Sequence, residues 1–211
     1  MARIRSVLGT IEGSAGGITF ASRGGLNIMR QKVGSNNSST PAQQNTRSRF
    51  KKLADLFRAL SIPIRKGLMP QGSVSAYNRF IQQNFYNTSA DALGVASVDY
   101  TKLVLSGGNV EPLSRVAAVL DPALGKVKVS YFDNSNGNSA LDTDAVKAVV
   151  INKATGRVVA AADEETGRGD GSIELEDDTL VGVQPADLMV LAFAYRADGS
   201  DASATTQVQV A

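Results

Sequence analysis

The sequence contains neither cysteine nor histidine among its 211 residues, and it also lacks tryptophan. Without cysteine the chain cannot form a disulfide framework, and cysteine usage gives no indication of its redox compartment. Without either residue type it cannot build a Ser-His-Asp or Cys-His nucleophile or a His/Cys zinc site. Aromatic residues make up only 6% of the chain, so its cores must depend on valine, leucine, isoleucine and alanine. These absences exclude several common classes of enzyme.

Long hydrophobic runs are also missing. The longest apolar run, from Leu188 to Tyr195, is far shorter than the roughly 20 residues that a membrane helix needs. Two of the first five residues, Arg3 and Arg5, are basic, but Gly9, Thr10 and Glu12 interrupt the apolar segment that a secretion signal would require. We therefore expect a protein without a membrane span or a secretion signal, located in the cytoplasm.

The net charge of +2 conceals a strong division of charge along the chain. Residues 1–90 carry 13 basic and 2 acidic side chains, whereas residues 91–211 carry 9 basic and 18 acidic ones. Such asymmetry indicates that the basic half meets an acidic partner, which is nucleic acid, a membrane surface or the acidic half of a neighbouring copy.

Glycines punctuate the N-terminal segment in a pattern typical of a β-hairpin. The alternating runs 18–22 and 26–30 flank Arg23-Gly24-Gly25, which predicts two strands joined by a three-residue turn. Because an isolated hairpin is marginally stable, we expect it to pair with another sheet or another chain. We interpret the glycines as residues required by the hairpin turns or by close packing. The four predicted hairpin glycines are Gly16, Gly17, Gly24 and Gly25.

Residues 40–60 carry the clearest helix signal. Thr40 and Gln43 form a capping-box pattern around Pro41, which suits the first helical position. At helical spacing, Arg47, Lys51 and Arg58 form a narrow cationic ridge opposite an apolar face of Phe50, Leu53, Leu56, Phe57 and Leu60. Asp55 interrupts the ridge. This face is predicted to pack on a second helix and on the hairpin.

The segment after this helix predicts a loop and a second helix. Pro63 is expected to end the first helix, residues 66–72 to form the loop, and residues from about Ser73 to Asn87 to form the second helix.

Beyond Asp91 the pattern changes to short strands separated by turn residues. Strands are predicted at 102–106, 115–120, 126–132, 145–152, 157–162, 172–176, 188–196 and 205–210. This spacing favours an immunoglobulin- or fibronectin-like antiparallel sandwich. The predicted fold class is therefore α+β, with a basic hairpin-plus-helices assembly domain at 1–90 and an acidic sandwich domain at 91–211.

Three short segments have compositions associated with particular chemistry. The carboxylates at 163–165 and at Glu174 and Glu176 are dense, but they lie at predicted turns and strand ends, which favours a solvated acidic edge over a catalytic pair. Residues 133–138 resemble a calcium loop in composition, with glycine at the wrong position and no closing glutamate. Arg168-Gly169-Asp170 spells a cell-adhesion tripeptide on a predicted loop. We expect no cofactor or metal.

The basic half offers the main candidate contact surface. Its cations can contact phosphates non-specifically, or they can contact protein or water as ordinary surface residues, and no nucleic-acid motif decides between these alternatives. Arg49 projects towards the apolar side of the helix, where its stem can pack. The residues predicted to contact a partner protein or nucleic acid are Arg23, Arg30, Lys32, Arg47, Lys51, Lys52 and Arg58.

The order of these parts resembles a family of uncharacterised bacterial and phage-borne proteins. The resemblance is carried by Gly16-Gly17-x-x-Phe20, Ile28-x-Arg30 and the Thr40-Pro41-Ala42-Gln43 helix start, and downstream by Asp99-Tyr100-x-Lys102 and Ala197-Asp198-Gly199. It implies a basic N-terminal segment followed by a sandwich domain, and similar openings in phage virion proteins imply a structural role. The expected function is a non-enzymatic structural subunit of a phage-type virion or similar assembly, with other protein subunits or copies of itself as partners. The alternatives are a nucleic-acid-binding or condensing protein and a carbohydrate-binding sandwich.

Overall fold

The computed structural model describes residues 2–4, 9–34, 39–161 and 166–211. Contacts within the chain define two compact units, Met1–Thr40 and Pro41–Ala211. The division therefore falls after Thr40, whereas the sequence pattern placed a boundary at residue 90. The physical reason is that the helices after Thr40 share a hydrophobic core with strands of the following sandwich.

The first unit is a four-stranded antiparallel sheet in the order β1-β4-β3-β2. Its strands are β1 (Ala2–Ile4), β2 (Gly13–Ala15), β3 (Ile18–Arg23) and β4 (Leu26–Gln31). The predicted hairpin is present as β3 and β4, but Arg23 pairs with Leu26, so the turn has two residues rather than three. Both turn glycines have positive φ, +58° at Gly24 and +75° at Gly25, as a type I′ turn requires. The hairpin finds its flanking strands within its own chain, which corrects the expectation that it needs another sheet.

The second unit begins with three helices, α1 (Pro41–Ala59), α2 (Ser61–Gly67) and α3 (Ala76–Asn84). The start of α1 at Pro41 agrees with the sequence pattern. The predicted loop after Pro63 is wrong, because Pro63 lies in the first turn of α2, where a missing N–H removes no helical hydrogen bond. Helix α3 begins later than predicted, because the Ser75 hydroxyl caps it by accepting a hydrogen bond from the Asn78 amide at 3.3 Å.

Two antiparallel sheets and one short strand pair follow the helices. The pair is β5 (Thr88–Ala90) with β6 (Ala96–Val98). One sheet has the order β12-β8-β7, and the other has the order β10-β9-β13-β14, with β11 also pairing with β9. Their strands are β7 (Ser114–Asp121), β8 (Lys126–Phe132), β9 (Ala145–Asn152), β10 (Arg157–Ala161), β11 (Thr166–Gly167), β12 (Ser172–Glu176), β13 (Leu188–Tyr195) and β14 (Thr206–Gln209). Backbone hydrogen bonds join the β7 edge to Ala211 beyond β14, with Ala118 O accepting from Ala211 N at 2.9 Å.

The strand predicted at 102–106 is not formed. The backbone amides of residues 104–106 bond to side chains instead of to a neighbouring strand. Val104 N donates to Asn84 Oδ1 at 2.8 Å, and Leu105 N donates to Thr205 Oγ1 at 2.9 Å. The segment is nevertheless part of the core, since Leu103 and Leu105 are fully buried.

Strands β9 and β13 are buried on both faces. Val150 and Val190 belong to the core between the two sheets, whereas Leu191 and Phe193 belong to a second core shared with the helices. The apolar face of α1 therefore packs against this sheet as well as against α3, and Leu53, Leu56 and Leu60 are buried in the second core. The second unit has three layers, one of helices and two of sheet, and the protein is of mixed α+β class.

Candidate functional site

Helix α1 presents most of the predicted cations of the second unit. Arg47, Lys51 and Arg58 lie exposed on it, on the side away from its buried leucines. Arg58 donates to Asp55 at 2.6 Å, and both side chains are largely exposed. Lys52 differs from these three because it is only half-exposed and faces the turn between β9 and β10. The predicted ridge therefore consists of three exposed cations, Arg47, Lys51 and Arg58, and Lys52 lies apart from it.

The first unit carries the other three predicted cations. Arg23 and Arg30 lie on the same face of the β3–β4 hairpin, because the register pairs Arg23 with Leu26 and Thr19 with Arg30. Phe20 and Met29 pair with each other on the opposite face. Lys32 is exposed just beyond β4 and donates its backbone amide to Gly17 O at 2.7 Å. One face of the hairpin thus carries both arginines together with Leu26 and Ile28, and the other carries Phe20 and Met29.

The hairpin glycines allow the backbone conformations that the turns of the N-terminal sheet require. A Cβ added to Gly16, Gly17, Gly24 or Gly25 would meet no atom within 4 Å. The close-packing interpretation of these four residues is therefore wrong. Their role is turn formation, and Gly16 has a φ of +56° in the turn between β2 and β3.

Arg49 has the packing role that its position predicted. Its Nε donates to Thr88 Oγ1 at 2.9 Å, and its guanidinium carbon lies 4.0 Å from the centre of the Phe85 ring. This arginine ties α1 to the segment after α3.

A groove between α1 and the β9–β10 turn brings together residues that are distant in sequence. It has a volume of about 260 Å³ and is lined by Lys52, Asp55, Leu56, Ala59, Gly156, Arg157 and Val158. A Cβ placed on Gly156 would lie 2.6 Å from the Tyr100 hydroxyl and 3.3 Å from Lys52 Nζ. Both polar atoms therefore lie against Gly156, at the place where any other residue would carry its Cβ. Burial raises the pKa of Tyr100, so its phenol is a neutral hydrogen-bond donor at physiological pH.

The sequence pattern did not reveal this groove. Lys52 was predicted as a partner contact and Tyr100 was named only in the family resemblance, whereas Gly156 and Arg157 were not singled out. No local signal joins these residues, because their proximity comes from packing between α1 and the sheet.

The dense carboxylates at 174–176 are paired with cations. Glu174 and Glu176 on β12 lie opposite Lys128 and Lys126 on β8, at 3.7 Å and 2.9 Å between the charged atoms. The hydrogen bond from Lys126 to Glu176 raises the pKa of that lysine. These are exposed cross-strand ion pairs, and the acidic run 163–165 lies outside the described residues.

The loop 133–138 connects strands of different sheets. It is not a hairpin turn, because β8 and β9, the strands before and after it, belong to separate sheets. Asn136 Oδ1 accepts hydrogen bonds from the amides of Asn138 and Ala140, so the loop's own backbone occupies that amide oxygen. Within the described ranges, no three or more acidic side chains are grouped so that they could hold a metal ion.

The adhesion tripeptide is not displayed for recognition, because its arginine is fully buried. Arg168 donates to Asn134 Oδ1 at 2.6 Å and to the Glu111 carbonyl at 2.7 Å, and it lies 3.4 Å from Asp144. Burial lowers the pKa of the Arg168 guanidinium, which nonetheless stays charged at physiological pH. The Asp170 carboxylate accepts a hydrogen bond from the Gly167 amide at 2.7 Å. Both charged members of the tripeptide have structural partners.

The described residues form an α+β protein of two units, a four-stranded antiparallel sheet and a unit of three helices with antiparallel sheets. The chain belongs to a family of unknown function, DUF6266, whose model matches residues 10–205. This confirms membership of an uncharacterised family, while a phage-borne origin stays a prediction. None of the helices in the described ranges is both long and apolar enough to cross a membrane.

Two further comparisons add no functional evidence. No curated protein has significant sequence similarity to the chain. Among solved structures, the spore cortex lytic enzyme SleM of Clostridium perfringens matches with 14% identity and a TM-score of 0.29. The match covers 46% of this chain and only 28% of that one. So low a score carries no argument about fold or activity.

Proposed function

We propose that this protein is a non-enzymatic structural subunit of a large assembly, of the phage-virion type, and that its N-terminal sheet docks on a partner subunit. The observation that carries the proposal is the lack of a hydrophobic core in the described part of this sheet. Among described residues, every buried hydrophobic side chain lies at Leu53 or beyond. Covering the apolar side chains of such a sheet with a partner removes them from water and stabilises it.

The apolar face of the sheet is accessible. Ile18 is 39% exposed, and Phe20 and Met29 are only half-buried. Asn27, on the same face, is buried and holds the segment before β2 by accepting from Ile11 N at 3.1 Å and donating to Gly9 O at 3.0 Å. The sheet is thus internally organised, yet its hydrophobic side chains retain exposed area that a partner can cover.

The strand order of the second unit supports an immunoglobulin- or fibronectin-like sandwich, which we propose as the domain that the assembled subunit displays. Its first, second and fifth long strands, β7, β8 and β12, share one sheet. Its third, fourth, sixth and seventh, β9, β10, β13 and β14, share the other. This partition matches the ABE and C′CFG sheets of such domains.

Replacement of the apolar face tests the docking role. We expect the Phe20→Ser/Met29→Ser variant of the full chain to lose self-association in sedimentation velocity, or recovery with native particles. The matched control is Thr19→Ser/Ala21→Ser on the opposite face, which should retain the behaviour of the unaltered protein. If the unaltered protein stays monomeric at high concentration and low salt, and no partner is recovered with it from native particles, the proposal is wrong.

Salt dependence separates this proposal from nucleic-acid binding through the basic residues. We expect no binding to DNA or RNA even at low salt. A phosphate-driven interaction would instead weaken linearly with salt on logarithmic axes. Such a line, reduced in slope by Arg23→Gln/Arg30→Gln, would favour the nucleic-acid alternative over the structural subunit.

A further inference from the structure

The groove between α1 and the β9–β10 turn brings the side chains of Lys52 and Arg157 near the Tyr100 hydroxyl. Within the described chain, the Tyr100 hydroxyl receives and makes no hydrogen bond, and neither Lys52 nor Arg157 forms an ion pair. The one acidic lining residue is Asp55, and Arg58 pairs with it at 2.6 Å. Two cations and a neutral phenol thus lie beside Gly156, and the acidic side chains that act on this part of the groove are Asp55, which pairs with Arg58, and Asp177, whose pKa is lowered by the Thr179 hydrogen bonds and, less strongly, by Arg157.

Two of these donors approach the backbone of Gly156 closely. Lys52 Nζ and the Tyr100 hydroxyl lie 3.3 Å and 2.6 Å from the position of its absent Cβ. The two atoms are consequently within about 6 Å of each other, a separation at which one bound oxygen, or the two oxygens of one carboxylate, can contact both. The ammonium and guanidinium groups supply the charge that strengthens such hydrogen bonds.

The remaining lining favours an organic anion with a hydrocarbon stem. Leu56, Ala59 and Val158 supply apolar surface beside the donors. The volume of about 260 Å³ falls below the range of roughly 300–1,000 Å³ typical of drug-sized ligands. A single side chain or a small ligand fits such a space.

We propose that this groove binds a carboxylate carried on a short aliphatic stem, namely the acidic side chain of a partner protein. Lys52 and Arg157 hold the carboxylate by charge, Tyr100 donates a hydrogen bond to it, and the apolar lining packs on the stem. The groove lies wholly within the second unit. Its role is therefore additional to that of the N-terminal sheet and holds whether or not the sheet docks as proposed above.

Two isosteric probes test the proposal on the full chain. N-acetylglutamate amide and N-acetylglutamine amide have the same size and differ in charge, and sodium phosphate tests charge without a stem. We expect the glutamate probe to shift the Gly156 backbone amide resonance saturably, with affinity at least about tenfold above that of the glutamine probe. Saturation by the glutamine probe at equal affinity, absence of saturation, or phosphate binding as tight as that of the glutamate probe would each overturn the proposal.

Variants locate the binding. Tyr100→Phe removes only the hydroxyl, Lys52→Gln removes one cation, and each should weaken the glutamate probe by about three- to tenfold. Lys51→Gln, on the neighbouring exposed position of α1, should change the affinity by less than about twofold. Equal weakening by Lys51→Gln and Lys52→Gln would show non-specific attraction and reject the site.

A glycine pair provides the second control. Gly156→Ala places a methyl group in the space and should abolish saturation. Gly199→Ala introduces alanine at a similar φ, +72° compared with +68°, where a Cβ meets no atom within 4 Å. It therefore imposes comparable backbone strain without filling the groove, and it should bind normally. Normal binding by Gly156→Ala would place the ligand elsewhere.

Discussion

Arg168 and Asp144 form an ion pair with Nη2 and Oδ2 3.4 Å apart, and the exposed fraction is 0% for one side chain and 1% for the other. Arg196 also donates to Asp144, at 3.0 Å, so the carboxylate joins two guanidinium groups. The pair links the β11 end, the segment before β9 and the end of β13. The apparent adhesion tripeptide is therefore part of the internal framework of the sandwich.

We expect Arg168→Met to lower the free energy of unfolding by about 3–5 kcal/mol, because removal of one partner leaves buried polar groups uncompensated. Urea unfolding followed by circular dichroism measures the change. Arg65→Met, at an exposed position on α2, is the control and should stay within about 0.5 kcal/mol of the unaltered protein. Equal stability of both variants would contradict the structural role of Arg168.

The shared core predicts where the chain can be divided. We expect residues 41–211 to fold as a fragment and residues 91–211 to lack fixed tertiary structure, because the second fragment exposes Leu191 and Phe193 to water. Dispersion in amide NMR spectra distinguishes the outcomes. A well-dispersed spectrum for 91–211 would restore the boundary at residue 90.

A point substitution tests the same packing in the full chain. Phe193→Ala should lower the free energy of unfolding by about 3–5 kcal/mol, because it leaves a cavity between the helices and the sheet. Val119→Ala is the control, since Val119 is 56% exposed on β7 and leaves no cavity. Urea midpoints that shift equally for the two variants would argue against the helix-covered sheet.

The turn of the N-terminal hairpin is testable through its first glycine. Gly24→Asn should be tolerated, whereas Gly24→Val should destabilise the turn by about 1–2 kcal/mol, because a β-branched residue disfavours positive φ. Hydrogen exchange at the amides of β3 and β4 measures the local effect. Equal protection in both variants would mean that the turn is not of type I′.

Acid should weaken the protein through carboxylates that accept local hydrogen bonds. The side chain and then the backbone amide of Thr179 lower the pKa of Asp177, as the corresponding groups of Ser200 do for Asp198. A folded-state pKa below the unfolded value of about 3.9 adds stability above that pH, and this stability is lost as the pH falls through the folded-state pKa. We expect the thermal midpoint to drop between pH 5 and pH 2.

Two variants test how much of that decrease in the thermal midpoint is due to Asp177. Asp177→Asn should make it smaller, and Thr179→Val, which keeps the carboxylate and removes the hydroxyl donor, should do so to a lesser degree. Thermal midpoints measured at several pH values check both. If neither variant changes the pH dependence, Asp177 does not contribute to it.

Local sequence patterns were sufficient to predict the helices and strands that are bounded by turn residues and have a single clear hydrophobic period. Strands β9 and β12 were predicted with the residue bounds that the structure has, and α1 with its first residue. Helix α2 was missed, because Pro63 was interpreted as a stop and not as a first-turn residue. The apolar face of α1 showed that it is buried but not which element covers it. Only tertiary packing brings Lys52, Tyr100 and Gly156 together.

The burial of β13 on both faces determines how this strand can diverge among relatives. On β8, exposed Lys128 and Ser130 alternate with buried valines, so every second position is open to polar replacement. All eight residues of β13 are buried, so no position along it offers that freedom. Sequence drift should therefore be concentrated in the β7, β8 and β12 sheet and leave β13 as a continuous apolar segment. New binding specificities would then arise on the outer face of that sheet.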